Sequence, residues 1–511
     1  MEPPTPPAQT APPPEPGGHA PARVDGAAAA GLRARTVRGG AVALLSQGCA
    51  FVLLFGLQVV LARLLTPEDF GLVAVVTSVV TFFSLFGDLG LTTATVQRRE
   101  ITHEQVSLLF WLNAAWGVAL ALLTAASALP FAWLYGEPRV AAVIAALAAV
   151  FVFTGVASQH RALLRRRLRF ASLALVDLLA LFAGAAAAVA SALHGYRYWA
   201  LVHMRLVTAA CATLGLLLAS RWRPGRPGRG AHVRPLLAFG RLLTGFDVTA
   251  YVTRHADNLV IGWYSGTHAL GFYYKAYQML LAPAQQIVSP LGAVVIPALS
   301  RLQAEPRRYG AYYHRAILLS SAAGMPPVAF LFVGAEWVVP LLLGEQWGPS
   351  VPLFHALALA AFIGPVESGS GWLVASLGRA RRQFRLTLLT TAVTLAGFLV
   401  GIRWGAFGVA LSFSLCRAAF LVPKLKVACE GAPVRWPEIF LTAARPAACS
   451  LAAAAGLFAL TRQFDPAAHG LAGLAAGGLC FTLMYIGFWS ALPGGRRSLR
   501  SLLRMARHLR K

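Results

Sequence analysis

Ionisable side chains are sparse in this chain, and a few of them recur at helical spacing inside apolar runs. Asp247, Arg254 and Asp257 lie within residues 236–262. At 100° per residue Arg254 falls about 20° and Asp257 about 80° from Asp247, so the three share one helix face. Lys275, Gln278, Gln285 and Ser289 fall within a similar arc of about 80° in residues 270–298. An ionisable group at the centre of a bilayer costs about 2.5–3.5 kcal/mol, so such stripes belong to cavity walls or to pairs that lock helices together. The pairs to weigh are Arg254–Asp257 and Asp247–Arg254. A guanidinium or ammonium facing a cavity can replace the hydration of an anion. Arg254 and Lys275 are the first candidates for that work and Arg205 is a weaker one. Gln278 accompanies Lys275. Gln47 and Gln58, eleven positions apart, share another polar face. Carboxylates in loosened helices can bind a proton or cation, or cap exposed backbone. Asp88 sits between Gly87 and Gly90, and Glu367 beside Gly364, Pro365 and Gly369. Asp247 and Asp257 join them as cation-binding candidates. Asp177, near the arginines of 161–169, reads as a structural partner, Arg417 and Arg445 as side chains snorkelling from helix ends, and His203 and His355 as satisfied core residues.

The elements that carry these groups follow from composition. Of 511 residues 57% are hydrophobic and 13% charged, with mean hydropathy +0.62, which excludes an ordinary soluble protein. Apolar runs long enough to cross a ~30 Å hydrocarbon core recur throughout. They predict fourteen spans near 40–62, 70–95, 106–128, 139–158, 171–193, 199–219, 236–262, 270–298, 317–336, 351–373, 386–403, 405–423, 439–461 and 470–492. The class is an all-α polytopic membrane protein, and the connections leave no room for a folded catalytic domain.

The net charge of +26 points to the membrane rather than nucleic acid, because the cations cluster between apolar runs. Most of the 45 basic residues fall in alternate connections and the tails. The other connections hold Arg63, Arg139, Arg197, Arg403 and Arg462, beside acids that read as scattered: Glu68, Asp69, Glu137, Glu345 and Asp465. This asymmetry puts both termini in the cytoplasm. None of the four lysines follows a glycine, so no phosphate loop is written here. The six cysteines form no CxxC pair, and neither a metal nor a cofactor is expected.

Residues 62–76 and 262–276 align at an offset of 200, pairing Gly71 with Gly271. Six spans in each half, an even number, relate the halves by a pseudo-twofold axis along the membrane normal. The expected organisation is a disordered Pro/Ala-rich tail (1–35), two six-helix lobes (36–235 and 236–425), two additional helices (426–492) and a basic amphipathic tail (493–511) suited to an anionic leaflet.

Three motifs in order, Asp69-Phe70-Gly71, Asp88-Leu89-Gly90-Leu91 and Pro297-Ala298-Leu299-Ser300-Arg301, set in residues 64–113 and 254–303, carry a family likeness. Over about residues 36–425 the chain resembles the Wzx-type lipid-linked oligosaccharide flippases of the multidrug/oligosaccharidyl-lipid/polysaccharide exporter superfamily. The resemblance implies a two-lobed fold and alternating access in a bacterial inner membrane. It implies an undecaprenyl-diphosphate-linked glycan as substrate, with a polysaccharide polymerase and glycosyltransferases as partners in O-antigen, capsule or exopolysaccharide synthesis. The cations would then meet the diphosphate, and Asp88, Asp247, Asp257 or Glu367 would couple transport to an ion. The alternatives are a small-solute or drug antiporter of the same superfamily and a membrane-embedded glycosyltransferase or ligase.

Overall fold

The computed structural model describes residues 46–87, 91–98, 101–226, 234–463, 469–493 and 495–496, apart from the side chains at 94, 97, 234–250, 253, 282–284, 287 and 380–384. Asp88, Asp465 and both tails lie outside the described residues, and of Asp247 only the helical backbone is described.

The chain is helical, with no strand among the described residues. The elements are α1 (Ser46–Leu64), α2 (Pro67–Ser84), α3 (Leu91–Gln97), α4 (His103–Ala126), α5 (Ala128–Tyr135), α6 (Arg139–Arg166), α7 (Phe170–Leu193) and α8 (Trp199–Ser220). They continue with α9 (Arg234–Arg301), α10 (Pro306–Leu343), α11 (Val351–Leu377), α12 (Ala380–Gly401), α13 (Gly405–Cys429), α14 (Trp436–Thr461) and α15 (Gly470–Ala491). Among the described residues eleven helices are long and apolar enough to cross a membrane, and one of them, Arg385–Cys429, bends at Ile402–Trp404 into α12 and α13.

A straight 68-residue α9 would run about 100 Å at 1.5 Å per residue, far beyond a bilayer. It folds at Gly266, whose φ of 79° and ψ of 173° suit glycine alone, into two antiparallel arms. With α2–α3 and α4–α5 each taken as one broken span, the fourteen expected crossings are accounted for among the described residues. The span expected at 70–95 breaks after Leu85, and Trp116 Nε1 donates to the freed Phe86 carbonyl at 2.6 Å.

Local signals set the turns. Thr66 caps α2: its hydroxyl accepts from the Asp69 amide and the Asp69 carboxylate accepts from the Thr66 amide, with Pro67 opening the helix. Thr102 and Gln105 build the same box at α4. In the first lobe α7 packs on α8 and α4 on α6; in the second α11 packs on α13 and α12 on α13. The appended α14 rests on α10, with α15 beside it.

The lobes join where α2 crosses α9. A methyl on Gly71 would overlap the Thr267 carbonyl, and one on Gly271 would overlap the Pro67 carbonyl. At an offset of 200, Pro67 corresponds to Thr267 and Gly71 to Gly271, so the two contacts exchange under the repeat. The hinge follows the same register: the extended Thr66 that ends the α1–α2 turn corresponds to Gly266. The faint sequence repeat is therefore a structural one.

Candidate functional site

Each lobe encloses a cavity in the half of the bundle that carries the 161–169 arginines. The first, about 760 Å³, lies among α1, α2, α6, α7 and α8. Its walls are largely apolar, with Gln47, Arg161, Arg165, Asp177 and Arg205 among its lining. Asp177 is held by Arg161 through two hydrogen bonds of 2.6 and 2.9 Å, the structural pair expected of it. Arg205 and Gln47 both line this cavity.

The second lobe repeats the arrangement with the corresponding helices, α9, α11, α12 and α13. One chamber of about 200 Å³ is lined by Arg254, Tyr277, Gln285, Glu367, Arg417 and Lys424 among others. A neighbouring chamber of about 300 Å³ shares Arg254, Gln285 and Arg417 and continues along Ser289, Gly364 and Ser368. Glu367 Oε2 accepts from both Nε (2.7 Å) and Nη2 of Arg417, and Oε1 accepts from Lys424 Nζ at 2.7 Å. Three cations thus stand against one carboxylate in a small, partly enclosed space. Such a space attracts an anion and repels a cation.

Arg254 is exposed within this cavity, and among the described residues it makes no ion pair with Asp257. Asp257 is 2% exposed, and its carboxylate accepts from Tyr273 Oη at 2.6 Å and from the Asn258 amide at 2.8 Å. Their difference of about 60° around the helix is enough to send Arg254 to the cavity and Asp257 against the second arm of α9. The expected Arg254–Asp257 pair is corrected accordingly. Asp257 binds the two arms of the hairpin together.

Lys275 does not line either cavity. It is fully buried where the lobes meet, with Nζ donating to the Gln58 carbonyl at 2.9 Å and to Gln58 Oε1 at 2.8 Å. The ammonium also lies 4.1 Å from the centre of the Phe70 ring and 5.5 Å from that of Trp347. The expectation that Lys275 and Gln58 face a cavity is corrected: each satisfies the other across the lobe interface. Gln278 is also turned elsewhere and donates to Tyr274 Oη at 2.8 Å.

Above Lys275, at the end opposite the 161–169 arginines, the lobes are latched together. Trp347 Nε1 and Gln346 Nε2 donate to the Ala62 carbonyl at 2.8 and 2.7 Å, and Arg63 donates to the carbonyls of Leu341 and Leu342. Three of the acids there, Glu68, Asp69 and Glu137, are not scattered. Arg139 pairs with Glu68 and Glu137, and Arg197 with Glu68 and Asp69. Hydrogen bonds from Arg139 hold the Glu137 carboxyl below the ordinary glutamate value of 4.5.

The family model for "Polysaccharide biosynthesis protein" matches residues 60–352, more than half of the chain. The chain belongs to this family. It is 26% identical over 395 residues to the lipopolysaccharide biosynthesis protein WzxC of Escherichia coli K12, covering 75% of this chain and 79% of WzxC. It is 30% identical over 321 residues to the succinoglycan biosynthesis transport protein ExoT of Rhizobium meliloti, covering 62% and 64%. The solved structure of the lipid II flippase MurJ in an inward closed conformation superposes with a TM-score of 0.69 over 89% of this chain and 99% of that one; at 13% identity the likeness is one of fold.

Two site residues of this family member escape a reading of its sequence. Arg417 reads as a snorkelling side chain and Lys424 as part of a connection, yet both enter the cavity. They are seven positions apart on α13, hence about 20° apart on one face, and that spacing was the available signal. Glu367 neither caps a broken helix nor stands free, because α11 runs on through Pro365 and the carboxylate is taken by the two cations. His203 and His355 are satisfied structurally, by Ser191 and by the Phe332 carbonyl.

Proposed function

We propose that this protein turns an undecaprenyl-diphosphate-linked oligosaccharide from the inner to the outer leaflet of a bacterial inner membrane, for O-antigen, capsule or exopolysaccharide synthesis. The second-lobe cavity carries this reading: Arg254, Arg417 and Lys424 outnumber Glu367, so the space suits a diphosphate leaving headgroup water. The larger first-lobe cavity, apolar with Arg205 and Gln47 on its wall, gives room for the rest of an amphipathic ligand. Both cavities lie in the half with the 161–169 arginines, which the positive-inside rule assigns to the cytoplasm together with both termini. The opposite end is latched by Arg63, Gln346 and Trp347. A carrier that admits its load from the cytoplasm and then releases that latch works by alternating access.

Glycosyltransferases that assemble the lipid-linked unit and a polymerase that consumes it are the partners this reading requires. A membrane-embedded transferase is a weaker reading, because Glu68, Asp69 and Glu137 at the far end are already engaged by arginines. A cationic-drug antiporter fits the charge of the cavity poorly.

The test is export in a strain lacking the gene and complemented with Arg254→Ala or Arg254→Lys at equal protein level. A charge-assisted contact is worth about 1.5–3 kcal/mol, so Arg254→Ala should cut export roughly 10- to 100-fold, with the lipid-linked unit accumulating and Arg254→Lys in between. Normal export by Arg254→Ala would remove the cavity from the pathway.

A further inference from the structure

We infer that Glu367 is a resident competitor: while the second-lobe cavity is empty it occupies Arg417 and Lys424, and it yields them to the anionic group of the ligand. This inference rests on the reading that the cavity receives a diphosphate.

The geometry carries it. Glu367 sits on α11 with its side chain 15% exposed, between two cations that both project from one face of α13. Each oxygen is in use, Oε2 by the fork of Arg417 and Oε1 by Lys424. Three cations without a carboxylate would repel one another, and the partly buried Arg417 and Lys424 would lack full hydration; an internal anion offsets that cost. The pattern is also that of an anion-binding site already filled: two N–H groups of one guanidinium meet one oxygen and an ammonium meets the other, as they could on a diphosphate. Arg254 lines the same chamber and, among the described residues, makes no ion pair with Glu367. An arriving anion can meet Arg254 first and then exchange with the carboxylate for Arg417 and Lys424.

The exchange has a use in transport. A carrier must bind well enough to load and weakly enough to unload. A carboxylate returning to Arg417 and Lys424 lowers the net affinity and helps to expel the anion. Glu367 is thus a positioning residue that sets affinity and release and makes no contact with the ligand.

The sign of the effect separates this role from the others open to a carboxylate. Purified full-length protein in lipid nanodiscs is titrated with inorganic pyrophosphate and, separately, with a short-chain prenyl diphosphate. Each of wild type, Glu367→Gln, Glu367→Asp, Arg417→Ala and Arg254→Ala is first checked for a wild-type thermal transition. Glu367→Gln should bind either probe on the order of tenfold more tightly while turning over more slowly in leaflet transport, and Glu367→Asp, whose shorter carboxylate reaches the two cations less well, should bind more tightly than wild type by a smaller factor. Arg417→Ala should weaken binding. If Glu367→Gln folds but binds no more tightly than wild type, Glu367 only orients its neighbours and the inference is overturned. If Glu367→Gln does not fold, Glu367→Asp carries the test: its shorter carboxylate must bind the probes more tightly than wild type, and unchanged or weaker binding overturns the inference. If wild type binds neither probe, the inference and the reading it rests on fall together. If wild type binds and Arg254→Ala weakens it, only the role of Glu367 is at stake.

Discussion

Gly71 and Gly271 meet across the lobe interface, each lying where the other lobe's backbone leaves no room for a side chain. A methyl on Gly71 would come within 2.9 Å of the Gly271 amide nitrogen and would overlap the Thr267 carbonyl. This is the contact about which the two halves are related, and it holds α2 against α9 beneath the Trp347 latch.

Gly71→Ala and Gly271→Ala should each destabilise the latched state by about 1–3 kcal/mol through overpacking. Because they disturb one shared contact, the double variant should cost less than the sum. Thermal unfolding of the purified variants measures both quantities, and full additivity would place the two glycines in separate contacts.

Trp347→Phe keeps a ring edge-to-face with Phe70 but removes the donor to the Ala62 carbonyl, a net loss of about 0.5–1.5 kcal/mol. That shifts the lobe equilibrium toward opening at the far end by several-fold. A cysteine at Gln278 should then react faster with an impermeant maleimide applied from the periplasmic side. An unchanged rate would mean that the latch does not limit opening.

Lys275→Met should leave pyrophosphate affinity within about twofold of wild type while raising far-end labelling, since Lys275 is enclosed by Gln58, Phe70 and Trp347 and lines neither cavity. Arg254→Ala should do the reverse. It should also fold normally, because Asp257 is satisfied by Tyr273 and is not stranded by the loss. A drop in affinity of tenfold or more in Lys275→Met would return that residue to the binding site.

The Glu137 carboxyl, lowered by its hydrogen bonds with Arg139, gives a pH dependence of definite sign. A depressed carboxyl contributes stability that is complete above the unfolded value and is lost as pH falls through the folded one. The loss should therefore lie below about pH 4.5. Thermal midpoints of wild type should fall more steeply in that range than those of Arg139→Met, and parallel curves would contradict the assignment.

The helices were legible because apolar runs and basic connections are properties of the chain itself. Even the Gly71–Gly271 register could be read, since close helix crossing demands glycine wherever it occurs. What the stripes could not say is what each faces. The arc holding Lys275 and Gln278 predicts a polar face, but only the packing of α1, α2 and the 345–350 turn makes that face an interface. Arg254 and Asp257 share a stripe and still go separate ways. The union of Glu367 with Arg417 and Lys424 joins α11 to α13 across about fifty residues of chain, so no local pattern in α11 could announce it.

Reporter fusions at Gly225 and Glu345 test the orientation of the protein in the membrane. The first should report the cytoplasm and the second the periplasm. Both on one side would overturn the assignment of the cavities to the cytoplasmic half.

Leaflet translocation in proteoliposomes measures the transport itself. Undecaprenyl-diphosphate-linked oligosaccharide is placed in one leaflet, and its arrival in the other is read by a glycan-specific enzyme confined to that side. Wild type should accelerate arrival over protein-free vesicles, Arg254→Ala should slow it about 10- to 100-fold, and pyrophosphate on the loading side should compete. Arrival no faster than in protein-free vesicles, from folded protein that moves a cationic dye instead, would contradict the proposed transport.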